Sequence, residues 1–255
     1  MPMVPEQVNI LGVRVSAVNP VSALETIEAW LGERESHYVC VTSVNGIMES
    51  QRSPALRDIH NAAGLVVPDG MPLVWLCRLR GFGQVRRVYG PALTLALCER
   101  SQEKGYTHFF YGSAAGVADQ LIASLKDRFP ALRVVGSCSP PYREQGYEED
   151  PVGADLIREA RPDVVWVGLP TPKQELWMAS NVARLGVPVL IGVGAAFDFL
   201  SGRKQQAPTW MQRTGLEWLF RLLAEPRRLW KRYLVGNPLF VLRVLAQALG
   251  LKKYD

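Results

Sequence analysis

The string Pro68-Asp69-Gly70 follows a short apolar run and places a carboxylate where a strand ends. A carboxylate in that position can take a proton from an attacking hydroxyl group, which is the work of a general base. The flanking proline and glycine are equally typical of a plain turn, in which the carboxylate bonds only to nearby backbone. From the residues alone, both interpretations of Asp69 stay open.

A second candidate site begins at residues 168–175, where a strand again leads into a helix. The spacing predicts Thr171 as the N-cap, Pro172 as the first helical residue and Gln174 in a capping-box position. Gln174 therefore either caps this helix or contacts a ligand. Lys173 and the first amides of the helix are placed to face an anion.

Two glycine-containing turns give weaker signals. Gly112 precedes a helix in residues 111–116, where small residues allow close approach of a phosphate to the helix N-terminus. Residues 192–197 contain Gly-x-Gly, including Gly194, but Phe197 replaces the third glycine of a dinucleotide-binding fingerprint. An NAD-type oxidoreductase is therefore disfavoured and is kept as an alternative.

Metal and disulfide chemistry have little support. No Asp-x-Asp string, the usual metal-binding pair of sugar-nucleotide enzymes, occurs, and the three histidines are scattered. His108 falls inside a predicted strand, so we expect a structural role for it. No Cys-x-x-Cys pair occurs, so we expect no metal, no cofactor and four reduced cysteines, as in the cytoplasm: Cys40, Cys77, Cys98 and Cys138.

Short β-rich runs alternate with helical patterns through the first 200 residues. The runs cover residues 8–15, 38–42, 65–67, 107–111, 133–135, 164–167 and 189–193. Helical patterns begin at Asn19-Pro20 and cover residues 54–63, 71–79, 91–104, 115–128 and 172–185, while 139–151 reads as an exposed loop. Uninterrupted apolar runs suit strands covered on both faces. We therefore predict an α/β fold with a Rossmann-like, doubly wound, mostly parallel sheet, whose ligand crevice lies beyond the strands' carboxyl ends.

The charge is unevenly distributed along the chain. Residues 201–255 carry 11 basic and three acidic residues, a net +8, whereas the whole chain is +5 and residues 1–200 are therefore −3. We divide the chain into an α/β core, residues 1–205, and a basic C-terminal helical appendage, residues 206–255. Such an excess of positive charge points to an anionic membrane, an anionic ligand or nucleic acid.

The appendage predicts separate helices over 215–224, 227–234 and 239–249, interrupted at Gly236-Asn237-Pro238. Trp230 and its apolar neighbours alternate with basic residues, which is typical of an interfacial membrane helix. A helical hairpin packed on the core is the alternative, and a nucleic-acid-binding module is a third possibility that fits the aromatic pattern less well. The last run is too short and polar to span a bilayer. The first residues lack a basic start followed by an apolar run, so no signal peptide is expected.

Several strings together resemble the WecG/TagA/CpsF glycosyltransferases, from Val8 to about Tyr233. They lie at residues 41–45, 68–74, 87–90, 168–175, 192–198, 207–208 and 215–222. The resemblance implies an inverting, metal-independent enzyme at the cytoplasmic face of the bacterial membrane, to which it binds peripherally. Such enzymes move a hexose or N-acetylhexosamine unit from a UDP-sugar to a polyprenyl-diphosphate-linked saccharide of a surface polysaccharide. An anionic membrane surface is then a partner, nucleic acid is not, and a homo-oligomer stays open.

The resemblance also implies roles for particular residues. Asp69 matches the proposed catalytic base, Thr42 and Gln174 match active-site residues, and Arg87 matches an arginine that faces substrate. Arg221 and Arg228 match arginines of the appendage that reach over the active site. The remaining candidate substrate-binding residues are Asn45, Gly112, Lys173, Gly194 and Asp198.

Two positions depart from the family pattern. The family often has asparagine two residues after the threonine, where this chain has Val44, with Asn45 following. We expect Asn45 to take that role. The family's usual aspartate after Arg87 is replaced by Ala92.

Overall fold

The computed structural model describes residues 5–141 and 150–254. The strands are β1 (Gln7–Ile10), β2 (Val13–Ser16), β3 (His37–Thr42), β4 (Leu65–Pro68), β5 (Thr107–Gly112), β6 (Arg133–Cys138), β7 (Val164–Gly168) and β8 (Val189–Gly192). The C-terminal appendage, residues 206–255, is called the tail. The helices that precede it are α1 (Pro20–Glu33), α2 (Val44–Ser50), α3 (Pro54–Ala62), α4 (Met71–Leu79), α5 (Gly90–Lys104), α6 (Val117–Arg128), α7 (Pro151–Ala160), α8 (Lys173–Leu185) and α9 (Ala196–Leu200). Most of the loop expected over 139–151 lies outside the described residues.

The central sheet has six strands in the order β4-β3-β8-β7-β5-β6, and every neighbouring pair is parallel. The first strand of this sheet along the chain is β3, and β4 lies beside it at one edge. The chain then crosses to β5 and β6 at the other edge, and β7 and β8 lie in the middle. This path confirms the predicted α/β, Rossmann-like, doubly wound sheet. The carboxyl ends of β3, β4, β7 and β8 therefore open on one edge, where such sheets bind ligands.

Apolar side chains cover both faces of the sheet, as the uninterrupted strand runs predicted. On one face Tyr111 stacks on Trp177 of α8, with 4.1 Å between ring centroids. On the other, Phe110 meets Phe197 of α9 edge-on at 5.7 Å. Adjacent residues of one strand thus serve two separate cores. This double coverage makes the strand ends a rigid platform for polar side chains.

The N-terminal run over residues 8–15 is two strands, and the prediction of a single one was wrong. β1 and β2 pair as an antiparallel hairpin. The turn places Leu11 and Gly12 at φ 52° and 83°, values that a tight hairpin turn requires and that glycine adopts without strain. The hairpin lies beside β4, where the Val66 amide donates to Ser16 Oγ at 3.0 Å.

The start of α1 agrees with its sequence pattern. The Asn19 side chain accepts hydrogen bonds from the amides of Val21 and Ser22, at 2.9 and 3.1 Å, so it caps α1 as predicted. Helix α2 was not predicted; it begins directly after β3 and carries Asn45 to the carboxyl edge of the sheet.

The tail is a series of helices that follows a non-helical connection over residues 201–208. It comprises α10 (Thr209–Arg213), α11 (Glu217–Ala224), α12 (Pro226–Trp230), a π-helical turn (Lys231–Val235) and α13 (Gly236–Ala248). The predicted interruption at 236–238 was wrong, because the chain stays helical from Pro226 to Ala248. Pro238 would clash with the Leu234 carbonyl in a regular α-helix, and the wider π turn falls at that carbonyl.

One face of α13 packs on the core and the other is exposed. Phe240 is buried among core residues, and the Gln247 side chain accepts from the Leu11 amide at 3.1 Å. Packing on the main domain, the second of the predicted alternatives, thus leaves an apolar outer face on this helix. Within the described residues, none of the helices has the length and apolar content to cross a bilayer.

Candidate active site

A cavity of about 910 Å³ opens at the carboxyl edge of the sheet and is closed on one side by the tail. Its volume suits a drug-sized or nucleotide-sized ligand. Most of the sequence-predicted site residues line it: Asn45, Asp69, Arg87, Gln174, Gly194, Asp198, Arg221 and Arg228. The structure thus brings together side chains from four strand ends and from the tail.

Asp69 is held at the end of β4 by backbone pairing that continues past the strand. Its amide donates to the Thr42 carbonyl at 2.9 Å, and the Val88 amide donates to the Pro68 carbonyl at 3.0 Å. The second bond brings the loop carrying Arg87 against the same strand end. Asp69 is thus more than a turn residue, since its side chain takes part in a side-chain ion pair.

Arg87 binds one oxygen of the Asp69 carboxylate. Its Nε and Nη2 donate to Asp69 Oδ1 at 3.0 and 2.9 Å, and Nε also donates to the Asp69 carbonyl. The guanidinium lies over the Tyr89 ring, 4.2 Å from its centroid. Among the described residues, no donor is hydrogen-bonded to the second oxygen, Oδ2. One carboxylate oxygen is therefore anchored by Arg87, and the other has no hydrogen-bond donor in the described part of the chain.

Glu217, at the start of α11, is a site residue that the sequence analysis missed. Its Oε2 accepts from Arg87 Nη2 at 2.6 Å. Gly215 permits this approach, because it has φ 76° and a Cβ there would lie 2.8 Å from the Trp75 ring of α4. The available signal was that Glu217 is one of only three acids in a strongly basic tail.

The surroundings raise the pKa of Asp69 above the ordinary range of an aspartate. Burial is the largest cause, and the nearby Glu217 carboxylate acts in the same direction. Arg87 opposes both through its charge and its hydrogen bonds. A carboxylate with a raised pKa is a better proton acceptor, as a general base needs to be.

Gln174 shapes the cavity wall and does not cap α8. Its Oε1 accepts from the Gly194 amide at 2.9 Å, and its Nε2 donates to Glu175 Oε1 at 3.0 Å. The capping-box interpretation was wrong: α8 begins at Lys173, with Pro172 in the N-cap position, and no side chain caps it. Thr171 instead donates to Glu175 Oε1 at 3.0 Å.

Three predicted site residues do not line the cavity. Thr42 is 2% exposed, and its hydroxyl donates to the Cys40 carbonyl at 3.3 Å, while the neighbouring Ser43 lines the cavity instead. Gly112 packs on the Gly168 backbone, and a Cβ on residue 112 would lie 2.9 Å from the Gly168 carbonyl carbon. Lys173 lies at the first turn of α8, beside the cavity wall.

The tail supplies arginines to the same cavity. Arg228 is paired with Glu225 at 2.5 Å, whereas Arg221 lies over the Phe199 ring, 5.7 Å from its centroid. Arg232, which the sequence analysis did not single out, also lines the cavity and reaches Ser43 Oγ at 3.5 Å. In the described part of the chain, no carboxylate lies within ion-pair distance of Arg221 or Arg232.

Burial lowers the pKa of Arg232, and the neighbouring Arg221 and Arg228 add to this effect. The Arg232 Nε is buried without a hydrogen-bond partner among the described residues. A buried cation beside other cations favours an anionic ligand. The oxygens of a diphosphate would satisfy these donors.

The other titratable candidates are structural or unclustered. The Trp166 indole donates to His108 Nδ1 at 3.0 Å, and burial lowers the pKa of His108 to about 4, which confirms its structural role. The four cysteines are free. In residues 5–141 and 150–254, no group of three or more histidine, cysteine or acidic side chains is placed to hold a metal ion. Asp198 forms an ion pair with Lys204, with 3.5 Å between Asp198 Oδ2 and Lys204 Nζ.

The Gly-x-Gly turn does not form a dinucleotide cradle. The Gly194 amide donates a hydrogen bond to Gln174 Oε1. The Phe197 ring fills the space over Gly168, and a Cβ on residue 168 would lie 2.7 Å from that ring. An open α/β sheet with a buried carboxylate paired to Arg87 and a set of arginines instead forms a cavity suited to the class of phosphorylated ligands.

The family comparison agrees with this class. Residues 8–254 match the model of the Glycosyl transferase WecG/TagA/CpsF family. The chain is 30% identical over 225 residues, 88% of its length and 84% of the relative's, to the N-acetylglucosaminyldiphosphoundecaprenol N-acetyl-beta-D-mannosaminyltransferase of Bacillus spizizenii. The Bacillus subtilis protein of the same name is 30% identical over 197 residues, 77% of this chain and 74% of that protein. The chain belongs to the WecG/TagA/CpsF family of glycosyltransferases, as its sequence strings indicated.

Proposed function

We propose that this glycosyltransferase moves a hexose or N-acetylhexosamine unit from a UDP-sugar to a polyprenyl-diphosphate-linked saccharide, with inversion and without a metal. Family membership supports glycosyl transfer. The names of the two Bacillus relatives suggest the first pair to test: an N-acetylmannosamine donor and undecaprenyl-diphosphate-linked N-acetylglucosamine.

The observation that carries the proposal is the one-sided anchoring of Asp69 inside the cavity. Arg87 holds Oδ1, so Oδ2 can accept the proton of the acceptor hydroxyl. The hydroxyl oxygen then bonds to the anomeric carbon from the face opposite the diphosphate. The carbon–phosphate-oxygen bond breaks, and UDP leaves with its electron pair. Attack from the opposite face inverts the anomeric centre.

Charge that develops on the leaving diphosphate needs positive partners in the transition state. Arg221, Arg228 and Arg232 line the cavity from the tail and can provide them. Arginine forms paired hydrogen bonds with phosphate oxygens, so such a cluster can replace the metal ion of other sugar-nucleotide enzymes. Asn45 and Asp198 offer polar groups to the sugar on the same cavity wall.

We also propose that the tail rests on an anionic membrane, at the cytoplasmic face where the lipid-linked acceptor is presented. Its outer surface carries apolar side chains that are each more than half exposed: Leu234, Val241, Leu242, Leu245, Leu249 and Leu251. The basic residues Arg227, Lys231, Lys252 and Lys253 are exposed on the same tail. Apolar insertion and attraction to anionic lipid act together in such surfaces.

The catalytic proposal is tested with purified protein, a panel of UDP-sugars and a short-chain lipid-diphosphate N-acetylglucosamine acceptor, assayed in EDTA by mass spectrometry. Transfer of one sugar residue with release of UDP is the expected result. Absence of transfer with every UDP-sugar, or a reaction that appears only with added NAD, would refute it.

The membrane proposal is tested by vesicle sedimentation. The double variant Leu242→Ser/Leu249→Ser should lose binding to phosphatidylglycerol vesicles, and Val21→Ser, which changes an exposed apolar residue on α1, should bind like wild type. Equal binding of the double variant and wild type would contradict the assignment of this face to the membrane.

A further inference from the structure

Arg87 lies between two carboxylates that come from distant parts of the chain. Asp69 follows β4, whereas Glu217 begins α11 in the tail. The side chains of Arg87 and Glu217 are each only 15% exposed, and that of Asp69 is 25% exposed. Water therefore screens these three charges weakly, and their mutual geometry matters for the site.

The two carboxylates divide the donors of one guanidinium. Arg87 Nη2 carries two hydrogens, of which one reaches Asp69 Oδ1 and the other reaches Glu217 Oε2. Arg87 Nε completes a fork on Asp69 Oδ1. Without Glu217, the second Nη2 hydrogen would lose its acceptor, and the guanidinium plane would lose an anchor on that side.

The local charge is also set by this arrangement. One arginine cannot neutralise two ionised carboxylates, so the trio carries one excess negative charge when both are ionised. Glu217 contributes one of the two negative charges from a tail whose charged residues are otherwise mostly basic. A neutral Asp69–Arg87 pair would hold a proton less readily than the trio does.

We propose that Glu217 is a positioning residue for the transfer reaction: it fixes Arg87 so that the arginine binds Asp69 through Oδ1 alone and leaves Oδ2 for the acceptor hydroxyl. The inference rests on the proposed function, since it assigns Asp69 the role of base. Glu217 acts only through Arg87 and touches no reacting atom. A residue of the tail thus completes the base at the sheet edge.

The electrostatic consequence has a definite sign. Glu217 raises the pKa of Asp69, and Arg87 and Arg221 lower it. The groups that interact electrostatically with Asp69 are Arg87, Tyr89, Glu217, Arg221 and Arg232. Burial is the largest effect that raises the pKa of Asp69 and would remain, but removal of the Glu217 charge takes away the second one. Asp69 should therefore titrate at lower pH and become a weaker base.

The test is Glu217→Gln, which keeps the shape and an oxygen acceptor for Arg87 while removing the charge. Glu28→Gln is the matched control, because the Glu28 side chain is also 15% exposed and paired with an arginine, Arg100, outside the active-site cavity. Both proteins are assayed for kcat and donor KM across pH. The Asp69 carboxyl is followed by 13C NMR in aspartate-labelled protein, its signal identified by its loss in Asp69→Asn.

Glu217→Gln should lower kcat about tenfold, a part of what a general base contributes, with donor KM little changed. The acid limb of its kcat–pH profile and the titration midpoint of the Asp69 NMR signal should both move to lower pH. Glu217→Asp, which retains the charge, should shift both less. Glu28→Gln should match wild type in all of these measurements.

An unchanged Asp69 titration in Glu217→Gln would overturn the inference, as would equal losses of kcat in both glutamine variants. The NMR titration requires no substrate, so it reports on this inference even if the substrate assay fails. Retention of turnover by Asp69→Asn would instead overturn the proposed function.

Discussion

Replacement of Asp69 by asparagine isolates proton transfer from the rest of the site. The side-chain oxygen of asparagine can still accept from Arg87 Nε and Nη2, at the 3.0 and 2.9 Å positions of Asp69 Oδ1. Arg87 also keeps its bond to Glu217. What disappears is the capacity of the second atom to accept a proton, because an amide nitrogen is a donor.

The expected loss is about 10²- to 10⁴-fold in kcat, the contribution of a positioned general base. This corresponds to roughly 3–5 kcal/mol of transition-state stabilisation. Folding should be little affected, since the ion pair is replaced by a hydrogen bond of the same geometry from the charged Arg87 guanidinium to a neutral amide oxygen. We expect the free energy of unfolding to change by about 1 kcal/mol or less.

The assay is sugar transfer to the lipid-linked acceptor under saturating donor, with thermal unfolding measured in parallel. Asp163→Asn serves as the control, because Asp163 is also a partly buried aspartate paired with an arginine, Arg34, at the opposite ends of the strands. Its folded fraction should turn over normally. If Asp69→Asn kept more than about a tenth of wild-type kcat, the general-base assignment would be refuted.

Three more outcomes are expected. Turnover should fall as the pH drops through the raised pKa of Asp69, because only the ionised carboxylate accepts a proton; an activity that is flat across the acidic range would contradict this. Arg221→Ala and Arg232→Ala should each cost about 10- to 100-fold in kcat and leave vesicle binding unchanged, and unchanged kinetics in both would remove the arginines from the mechanism. Excess EDTA should leave turnover intact, and loss restored by Mg²⁺ or Mn²⁺ would reject metal-free catalysis.

The sequence predicted the sheet well because the relevant pattern is local. Strands such as β7 are apolar at every position, and only a sheet with helices on both faces buries both sides of such a strand. Strand ends then follow from where the apolar runs stop. For that reason the position of Asp69 at the carboxyl edge could be read directly from residues 65–70.

Predictions of side-chain direction were less successful, because direction depends on packing. Thr42 precedes Ser43 in the chain, yet only Ser43 lines the cavity. Successive residues of a strand point to opposite sides, so an error of one position reverses the outcome. Gln174 had the spacing of a helix cap, but its side chain reaches Gly194, on a turn 20 residues away.

The backbone path of the tail also depended on tertiary structure. Gly236 and Pro238 are helix breakers by intrinsic propensity, and the sequence predicted a break there. Phe240 packs in the core, and Gln247 Oε1 accepts a hydrogen bond from the Leu11 amide; both contacts hold the last helix in place. A π turn then accommodates the proline within a continuous helix.

By itself, the sequence determined the fold class, the strand ends, the basic tail and the family. Each of these follows from local patterns, such as apolar runs, charged residues and short motifs. Only the tertiary structure decided that Glu217 shares Arg87 with Asp69. The two residues that bind each other, Arg87 and Glu217, are 130 positions apart. Their contact arises because Gly215 lets the tail lie against α4, and no local pattern encodes such an approach between distant segments.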